Sequence, residues 1–513
     1  MTAGPASGHR FSGAARIAAW YEREADDSRA VWLLLALFVL VWTLFQIVVF
    51  APVCLHDDML EVFAWSRHPS AGYGKHPPLA PLIAAAWFAV MPAANWSFEL
   101  LASVNAAVAL FAVDRIARRT VAGDRRLLVL LLLLLTPFYQ FHSQRFTPNA
   151  VLLSTWPIAT YCFLCAFQTR RIGWAVAAGA AAALAMLGKY YSIYLIAGFI
   201  VAALCHPRRG DYLRSPSPWV SILSGFAVLA PHLYWLASMG PEPLRYALVG
   251  HAASSAAEEL TKTLAYAAGG LGYVLLPIAV YLLVVRPDRR LLAATLWPDD
   301  PDRRMLVVLL ATPLLLPMLT APLIGVTLTP LWTMSGWFLL PVILLAPAQI
   351  PVTRTATLRV ALAVAIATAL VFAAAPVVAW HNFVTEAENG RVCCRLASGE
   401  LTRAWHAATG RPLALVAGDS ALAQGATFYS PDHPDSAPDY VSPKPPWVTE
   451  ARRTRDGWAI ACFAKDRACL DAAEQNTAGR SGLVRVAKDV TASFFGLTEA
   501  TAKIVFTLVP PQR

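Results

Sequence analysis

The chain has 513 residues, of which 57% are hydrophobic and only 14% are charged. About a quarter of the residues of a soluble globular domain are charged, so the composition excludes that class. Lys and Arg exceed Asp and Glu by 42 to 32, but the basic clusters flank apolar segments. This pattern indicates cytoplasmic loops of a membrane protein and not a nucleic-acid surface, although any single cluster also fits a merely solvated loop.

The predicted elements begin with a polar leader at residues 1–30, which lacks a signal-peptide cleavage site and is expected in the cytoplasm. A first spanning helix follows at 31–53, because about 20 apolar residues are needed to cross the hydrocarbon core. With the basic clusters inside, the topology has about eleven spans and an external C-terminus. The other spans are predicted at 98–114, 127–140, 149–168, 173–188, 190–205, 217–237, 263–285, 305–319, 332–348 and 358–380.

The apolar stretch Leu79 to Met91 does not fit this topology as a span, because it would move a basic cluster to the outside. It is expected to lie on the outer face or to dip into it. Residues 31–380 thus form the transmembrane domain, with a long outer loop at 54–97.

After Trp380 polar residues and prolines return, which indicates a folded periplasmic domain at 381–513. Its pattern predicts a small α/β fold with a helix at 419–427 and strands at 411–417, 482–490 and 502–509. The expected fold class is therefore an all-α polytopic membrane protein with a small C-terminal α/β domain.

Four of the eight cysteines lie in this tail, namely Cys393, Cys394, Cys462 and Cys469. In an oxidising compartment Cys462 and Cys469 are the simplest disulfide pair, and free buried thiols are the alternative. The remaining cysteines are interpreted as small apolar residues of helices or helix ends: Cys54, Cys162, Cys165 and Cys205.

The outer loop carries three carboxylates next to the membrane, at Asp57, Asp58 and Glu61. An ionised carboxylate near hydrocarbon is costly unless it is paired or used, which makes all three functional candidates. On a helix Asp58 and Glu61 share a face, and Asp57 lies one position away from it. The alternative is a solvated loop in which Asp57 only caps a helix.

Several cations also fall on the outside, against the positive-inside trend. Lys75 precedes Pro77 and Pro78, which fix the backbone, and further cations lie at Arg67, Arg145 and Lys189. Such cations suit an anionic ligand such as a lipid phosphate, which accepts charge-assisted hydrogen bonds. For each of them alone, snorkelling to the interface is the simpler explanation.

The outer loop resembles that of the protein O-mannosyltransferase superfamily of membrane glycosyltransferases, which have the C-type glycosyltransferase fold. The similar segments are Asp58-Met-Leu-Glu61, Trp65-Ser66, Gly72-Tyr73 and Lys75-His-Pro-Pro-Leu79. Within the superfamily the chain is most similar to bacterial lipid A transferases of aminoarabinose or galacturonic acid.

Further segments occur in the family's order and spacing. Arg145-Phe-Thr-Pro-Asn-Ala-Val-Leu152 and Gly188-Lys-Tyr190 are similar to family segments, and Leu328-Thr-Pro-Leu-Trp332 is a weaker match. The resemblance covers roughly residues 30–350 and leaves the tail outside. Asn149 stands where the family usually has Asp, so this position supplies an amide and not a second carboxylate.

The resemblance implies transfer of one sugar from a polyprenyl-phosphate donor to a lipid A-like or other envelope acceptor, at the periplasmic face of the inner membrane. Asp58 is then the general base, Glu61 orients or shares that role, and Asp57 is the substitute. The expected donor-phosphate ligands are Lys75, His76, Arg145, Lys189 and Arg67, and the expected pocket residues are Tyr73, Asn149 and Tyr190. Neither a metal nor nucleic acid is required, although paired carboxylates are able to hold a divalent ion.

Two other classes compete with an enzyme. A transporter or lipid flippase places ionisable residues near the bilayer midplane and often has paired halves, whereas here the charges lie at helix ends and no repeat is visible. A non-catalytic membrane scaffold has no need for Asp58, Glu61 and Lys75 in one loop. The sequence leaves open the sugar, the acceptor, the oligomeric state and the role of the tail.

Overall fold

The computed structural model of the chain describes residues 29–350, 352–438 and 445–512. The predicted leader, apart from its last residues, lies outside the described residues. The described chain divides into two compact units. Unit 1 contains residues 29–42, 75–79 and 100–370, and unit 2 contains residues 43–74, 80–99 and 371–512.

The described chain is helical up to residue 350. Its first α-helices are α1 (Arg29–Phe50), α2 (Asp57–Ser66), α3 (Leu79–Phe88), α4 (Asn95–Ala117), α5 (Asp124–Leu134), α6 (Pro137–Gln140), α7 (Val151–Thr169), α8 (Ile172–Gly188) and α9 (Ile193–Cys205). The next are α10 (Arg209–Arg214), α11 (Ser217–Met239), α12 (Glu242–Val249), α13 (Ala256–Gly272), α14 (Leu275–Val285), α15 (Arg289–Leu296), α16 (Pro301–Ile324) and α17 (Leu340–Leu345). Short 3-10 helices lie at His142–Gln144, Tyr190–Ser192, Pro330–Ser335 and Trp337–Leu339.

Several of these helices expose apolar surface. Helix α11 leaves Trp219, Leu223 and Phe226 exposed, which is unfavourable in water and expected of a helix that faces hydrocarbon. Six described helices are long and apolar enough to cross a bilayer, or eight if each of two bent pairs is one span. The chain is a multi-pass membrane protein, and the count of about eleven spans stays a prediction.

Four predicted spans differ from the observed elements, and one of them, 358–380, is interrupted at residue 374 between the helices Arg354–Ala373 and Ala375–Glu388. The segment 127–140 is bent by 69° between α5 and residues 137–144, and 263–285 is bent by 41° between α13 and α14. The segment 332–348 is not one helix, since it falls into 3-10 turns and the short α17. Gly336 and Pro341 lie within it, and both residue types disfavour a helix interior.

Unit 1 also buries polar side chains between its helices. The guanidinium of Arg126 donates two hydrogen bonds of 2.7 Å to the carboxylate of Asp114, and both side chains are buried. Arg126 belongs to a basic cluster that the sequence places in a cytoplasmic loop. Because the pair is bidentate and desolvated, removing either partner would leave an uncompensated charge.

Unit 2 holds the sheet and the helices of the C-terminal part. Its later helices are α18 (Arg354–Ala373, whose end at 371–373 belongs to unit 2), α19 (Ala375–Glu388), α20 (Cys394–Thr409), α21 (Ser420–Tyr429), α22 (Glu450–Asp456) and α23 (Arg467–Thr477), with a 3-10 helix at Arg391–Cys393. Its strands are β1 (Leu415–Gly418), β2 (Asp435–Pro438), β3 (Trp458–Phe463), β4 (Val484–Phe494) and β5 (Thr498–Val509).

The five strands form one mixed sheet in the order β2-β1-β3-β5-β4. Strand β1 runs parallel to β2 and β3, whereas β5 runs antiparallel to β3 and β4. The predicted helix at 419–427 and the three predicted strands correspond to α21, β1, β4 and β5. The prediction missed β2 and β3.

The sheet buries apolar side chains on both faces. One face packs under α19, α20 and α21 around Phe383, Trp405 and Phe506. Val53, which lies between the end of α1 and the start of α2, joins this core. The other face packs around Trp458 and Ile460. The segment that carries the acidic residues is therefore part of the same compact unit as the C-terminal sheet.

Two disulfides lie in unit 2. Cys462 pairs with Cys469, which confirms the prediction. Cys54 pairs with Cys394, so its interpretation as an ordinary apolar residue is wrong. The two cysteines are 340 positions apart in the chain, and such a separation gives no signal in one sequence.

Candidate active site

The acidic residues lie at the start of α2, which we call the acidic helix. His56 caps it, because its imidazole accepts a hydrogen bond from the backbone N–H of Asp58. Asp57 and Asp58 occupy the first turn, where negative charge is stabilised by the helix dipole. The buried face of the helix includes Leu60 and Phe63, and Phe63 packs edge-on against Phe428 of α21.

The two adjacent aspartates have different surroundings. Asp57 forms an ion pair with Arg391, and burial raises the pKa of its carboxyl although Arg391 opposes the shift. The side chain of Asp58 is 53% exposed and lies 3.7 Å from His56 Nδ1. Asp57 is thus held by a partner in the C-terminal part of the chain, while Asp58 is accessible to a substrate. Glu61 is half-buried one turn further along the same helix.

Within unit 2, the N-terminal end of the acidic helix is joined to the C-terminal part of the chain by three contacts. The Cys54–Cys394 disulfide and the Asp57–Arg391 ion pair are two of them. The third is the backbone N–H of Leu55, which donates a 2.8 Å hydrogen bond to the hydroxyl of Tyr429. These contacts fix the direction in which the first turn of the helix points.

The C-terminal end of the acidic helix is held by Asp435 at the start of β2. His68 Nε2 lies 2.7 Å from Asp435 Oδ1, and Arg452 donates to the other carboxylate oxygen at 2.7 Å. Burial opposes ionisation, but the hydrogen bonds from His68 and Arg452 lower the pKa of Asp435 to about 2. Arg67, predicted to bind the donor phosphate, is exposed and its Nε lies 3.5 Å from the same carboxylate.

Tyr73, predicted as a pocket residue, shapes the following loop. Its side chain is buried and stacks on Trp65. Its hydroxyl bonds to the backbone oxygens of Trp65 and His68 at 3.1 and 3.0 Å and accepts from the N–H of Ser70. These contacts hold the loop at residues 65–73 together, and the role of Tyr73 as a pocket residue stays a prediction.

In unit 1 the structure brings together residues that the sequence predicts from three separate segments. Lys189 Nζ donates a 2.6 Å hydrogen bond to Asn149 Oδ1. Desolvation, followed by the charges of Lys189 and Lys75 and by His251, lowers the pKa of His76 to about 3. We call Lys75, His76, Asn149 and Lys189 the lysine cluster. His76 is neutral at pH 7, so it offers a phosphate a hydrogen bond and no charge.

Aromatic rings that the sequence prediction missed surround these ammonium groups. Lys75 lies 5.7 Å from the ring centre of Tyr246, and Lys189 lies 4.6 Å from that of Trp332. His251 contacts both rings edge-on or nearly so, at 5.8 and 5.0 Å. The predicted topology could have pointed to Tyr246 and His251, because both lie in the outer loop between the spans predicted at 217–237 and 263–285.

The remaining predicted residues lie elsewhere in unit 1. The hydroxyl of Tyr190 lies 2.7 Å from His232 Nε2. Arg145 is exposed at the end of a 3-10 helix, and the contacts described here do not connect it to Lys75 or Lys189. Its convergence with the two lysines stays a prediction.

The charges of the lysine cluster suit an anionic group. The ammonium groups of Lys75 and Lys189 lie among aromatic rings and the amide oxygen of Asn149. A phosphate is able to accept hydrogen bonds from both ammonium groups. Within the described ranges, no three or more His, Cys, Asp or Glu side chains are grouped closely enough to hold a metal ion.

Comparison with known proteins gave one family match and several structural ones. Residues 75–235 match the family described as dolichyl-phosphate-mannose-protein mannosyltransferase. This range contains the whole lysine cluster and begins after the acidic helix. A comparison with curated proteins gave no match.

Two crystal structures of ArnT from Cupriavidus metallidurans are similar in fold. The structure bound to undecaprenyl phosphate has a TM-score of 0.59 at 14% identity and covers 93% of this chain and 98% of that chain. The structure in the apo state has a TM-score of 0.54 at 14% identity and covers 93% and 97%.

These matches confirm the predicted resemblance and the predicted fold class. The sequence resemblance was predicted for residues 30–350, and the family match at 75–235 lies within this range, whereas the similarity in fold reaches further. Coverage of 93% leaves about 36 of 513 residues unmatched (0.07 × 513), whereas residues 381–513 number 133 (513 − 380). The similarity in fold therefore extends into the C-terminal domain.

Proposed function

We propose that this chain, which has the fold of the two ArnT structures, is a membrane glycosyltransferase that takes its sugar from a polyprenyl-phosphate donor. The acceptor is a lipid A-like lipid or another envelope molecule at the periplasmic face of the inner membrane. The lysine cluster carries the proposal, because it places two cations and a neutral imidazole in the range that matches the mannosyltransferase family.

The proposed reaction is a single displacement at the anomeric carbon. Asp58 accepts the proton of the acceptor hydroxyl as the oxygen attacks that carbon. The bond between the anomeric carbon and the phosphate oxygen breaks, and the polyprenyl phosphate leaves with the electron pair. Lys75 and Lys189 stabilise the growing negative charge on this phosphate. The configuration of the sugar is inverted, and no nucleotide sugar is needed.

The difference between the two aspartates supports the choice of base. A general base has to reach the proton that it removes, and the exposed Asp58 meets this condition better than Asp57, which is engaged by Arg391. Asp57 is then a positioning residue. Glu61, on the same helix, orients the acceptor or shares the role of base.

Mass spectrometry of envelope lipids tests the proposal in cells. A deletion strain should lack a glycosylated lipid or other acceptor that the wild-type chain restores and Asp58→Asn does not. Membrane levels of the variant must equal those of the wild type. Identical lipids, polysaccharides and proteins in the deletion and wild-type strains would contradict the proposal, and restoration by Asp58→Asn would favour a scaffold.

A further inference from the structure

The turn between β4 and β5 exposes two large apolar side chains. Phe495 and Leu497 are each 80% exposed. The charged residues of this hairpin lie further from the turn, with Asp489 on β4 and Glu499 on β5, both exposed. The most exposed apolar side chains of the hairpin therefore lie at its turn, which we call the hairpin tip (Phe495, Gly496 and Leu497), whereas Val484 at the far end of β4 is 39% exposed.

The backbone of the turn makes Phe495 an unusual choice. The N–H of Leu497 donates to the carbonyl of Phe494 at 2.9 Å, so the turn has two central residues. Phe495 and Gly496 have φ of 48° and 72°. Two-residue turns with positive φ at both positions favour Asn-Gly, since a bulky residue is strained there. The ring of Phe495 packs edge-on against that of Phe494 at 5.0 Å, but this contact leaves the residue 80% exposed.

The contacts of β4 show where the tip lies. Cys393 Sγ donates to the carbonyl of Val490 at 3.2 Å, and four residues later the ring of Phe494 packs 5.6 Å from that of Phe383. Strand β4 thus runs backwards along the path from α19 to Cys393. Phe494 packs against Phe383, in the second half of α19, and the strand runs toward the start of that helix, so the tip that follows Phe494 is directed toward the N-terminal half of α19.

That half of α19 continues from a candidate membrane span. Helix α18 ends at Ala373 and α19 begins at Ala375. The first two turns of α19 expose Val377 and Trp380, Val384 is exposed one turn later, and acidic residues follow at Glu386 and Glu388. A change from exposed apolar to acidic side chains just after a span marks the membrane interface, where Trp is enriched.

We propose that the hairpin tip inserts into the bilayer leaflet on the side of the C-terminal domain. The proposed occupant of this apolar surface is the acyl chains of that leaflet, which the exposed apolar side chains at the start of α19 also suit. The tip and α19 both belong to unit 2, and the Phe494–Phe383 contact joins the base of the tip to this helix. Burial of the two side chains in acyl chains offsets the strained backbone at Phe495.

Photocrosslinking of the full chain in lipid nanodiscs tests this insertion. A benzophenone amino acid replaces Phe495, which keeps an aromatic ring at the tip, and the matched control carries it at Val484, an exposed position at the other end of β4. Phospholipid adducts detected by mass spectrometry are expected at least about tenfold more often at position 495 than at 484. Phe495→Asn should fold at least as well as the wild type, because Asn tolerates positive φ.

Equal lipid adducts at the two positions would overturn the proposal. So would adducts of position 495 with a second copy of the chain or with another protein in place of lipid. A marked loss of thermal stability in detergent for Phe495→Asn would also contradict it, because the ring would then be required by the protein fold and not by the membrane. None of these outcomes depends on the enzymatic activity.

Discussion

Replacing Asp58 by Asn is expected to lower kcat at least about 100-fold while the protein remains inserted and folded. The change removes the proposed base and nearly preserves the volume of the side chain. Because Asp58 is half exposed in the first turn of the acidic helix, the lost interaction with the helix dipole is at most about 1 kcal/mol of stability. A 100-fold loss of rate corresponds to about 2.7 kcal/mol in the activation free energy, so the catalytic effect exceeds any folding effect.

Asp57→Asn is the matched comparison, because it alters the neighbouring carboxylate. Asp57 acts through its ion pair with Arg391, and a partly exposed pair contributes about 1 kcal/mol or less. We therefore expect at most about a tenfold loss of kcat in Asp57→Asn, since tenfold is about 1.4 kcal/mol.

The assay measures initial rates of the purified variants, normalised to the amount of folded protein. Retention of more than a tenth of the wild-type rate in Asp58→Asn would refute its role as base. An equal or larger loss in Asp57→Asn would move that role to Asp57.

Four further outcomes are expected. Lys75→Ala or Lys189→Ala should raise the donor KM about 10-fold to 100-fold, since a hydrogen bond to a charged group is worth about 1.5–3 kcal/mol. Lys75→Arg should restore part of the lost donor affinity. An unchanged donor KM in both alanine variants would contradict a shared phosphate site. Arg391→Ala should lower kcat with little change in donor KM, whereas a lower yield of folded protein at unchanged kcat would show a purely structural role. The pKa of Asp435 is lowered in the folded state, so its ionised carboxylate stabilises the fold by about 2 kcal/mol above pH 4, and this contribution is lost between about pH 4 and 2. In Asp435→Asn the melting temperature should therefore depend less on pH in that range. The same pH dependence in the variant and the wild type would contradict this expectation. A topology reporter after Arg119 or Arg209 should report cytoplasm and one after Asn389 periplasm, and a cytoplasmic signal after Asn389 would mean that the span count is wrong by one.

The long apolar helices were predictable, because composition alone determines which segments tolerate lipid. Segment 332–348 was not, since it is as apolar as a span but carries Gly336 and Pro341. The mean hydropathy of a segment hardly registers a single Gly or Pro, whereas each of these residues disfavours a continuous helix.

The candidate site was predictable within short segments and not across long separations. The acidic helix and Lys75 stand in one loop, so their residue types sufficed. The Cys54–Cys394 disulfide and the Asp57–Arg391 ion pair join positions more than 300 residues apart, and a single sequence contains no signal for such pairing. For the same reason the tail was predicted as a separate domain although it shares a compact unit with the acidic helix.

The most direct test of the proposed function is transfer by the purified chain in nanodiscs that contain a polyprenyl-phosphate sugar and a lipid A acceptor. Mass spectrometry follows both products, and nuclear magnetic resonance determines the anomeric configuration of the transferred sugar. We predict one free polyprenyl phosphate for each glycosylated acceptor, with inverted configuration, and an initial rate for Asp58→Asn at least about 100-fold lower than that of the wild type. Movement of the intact donor across the bilayer without cleavage, for each donor sugar and acceptor supplied, would contradict it and identify a flippase instead.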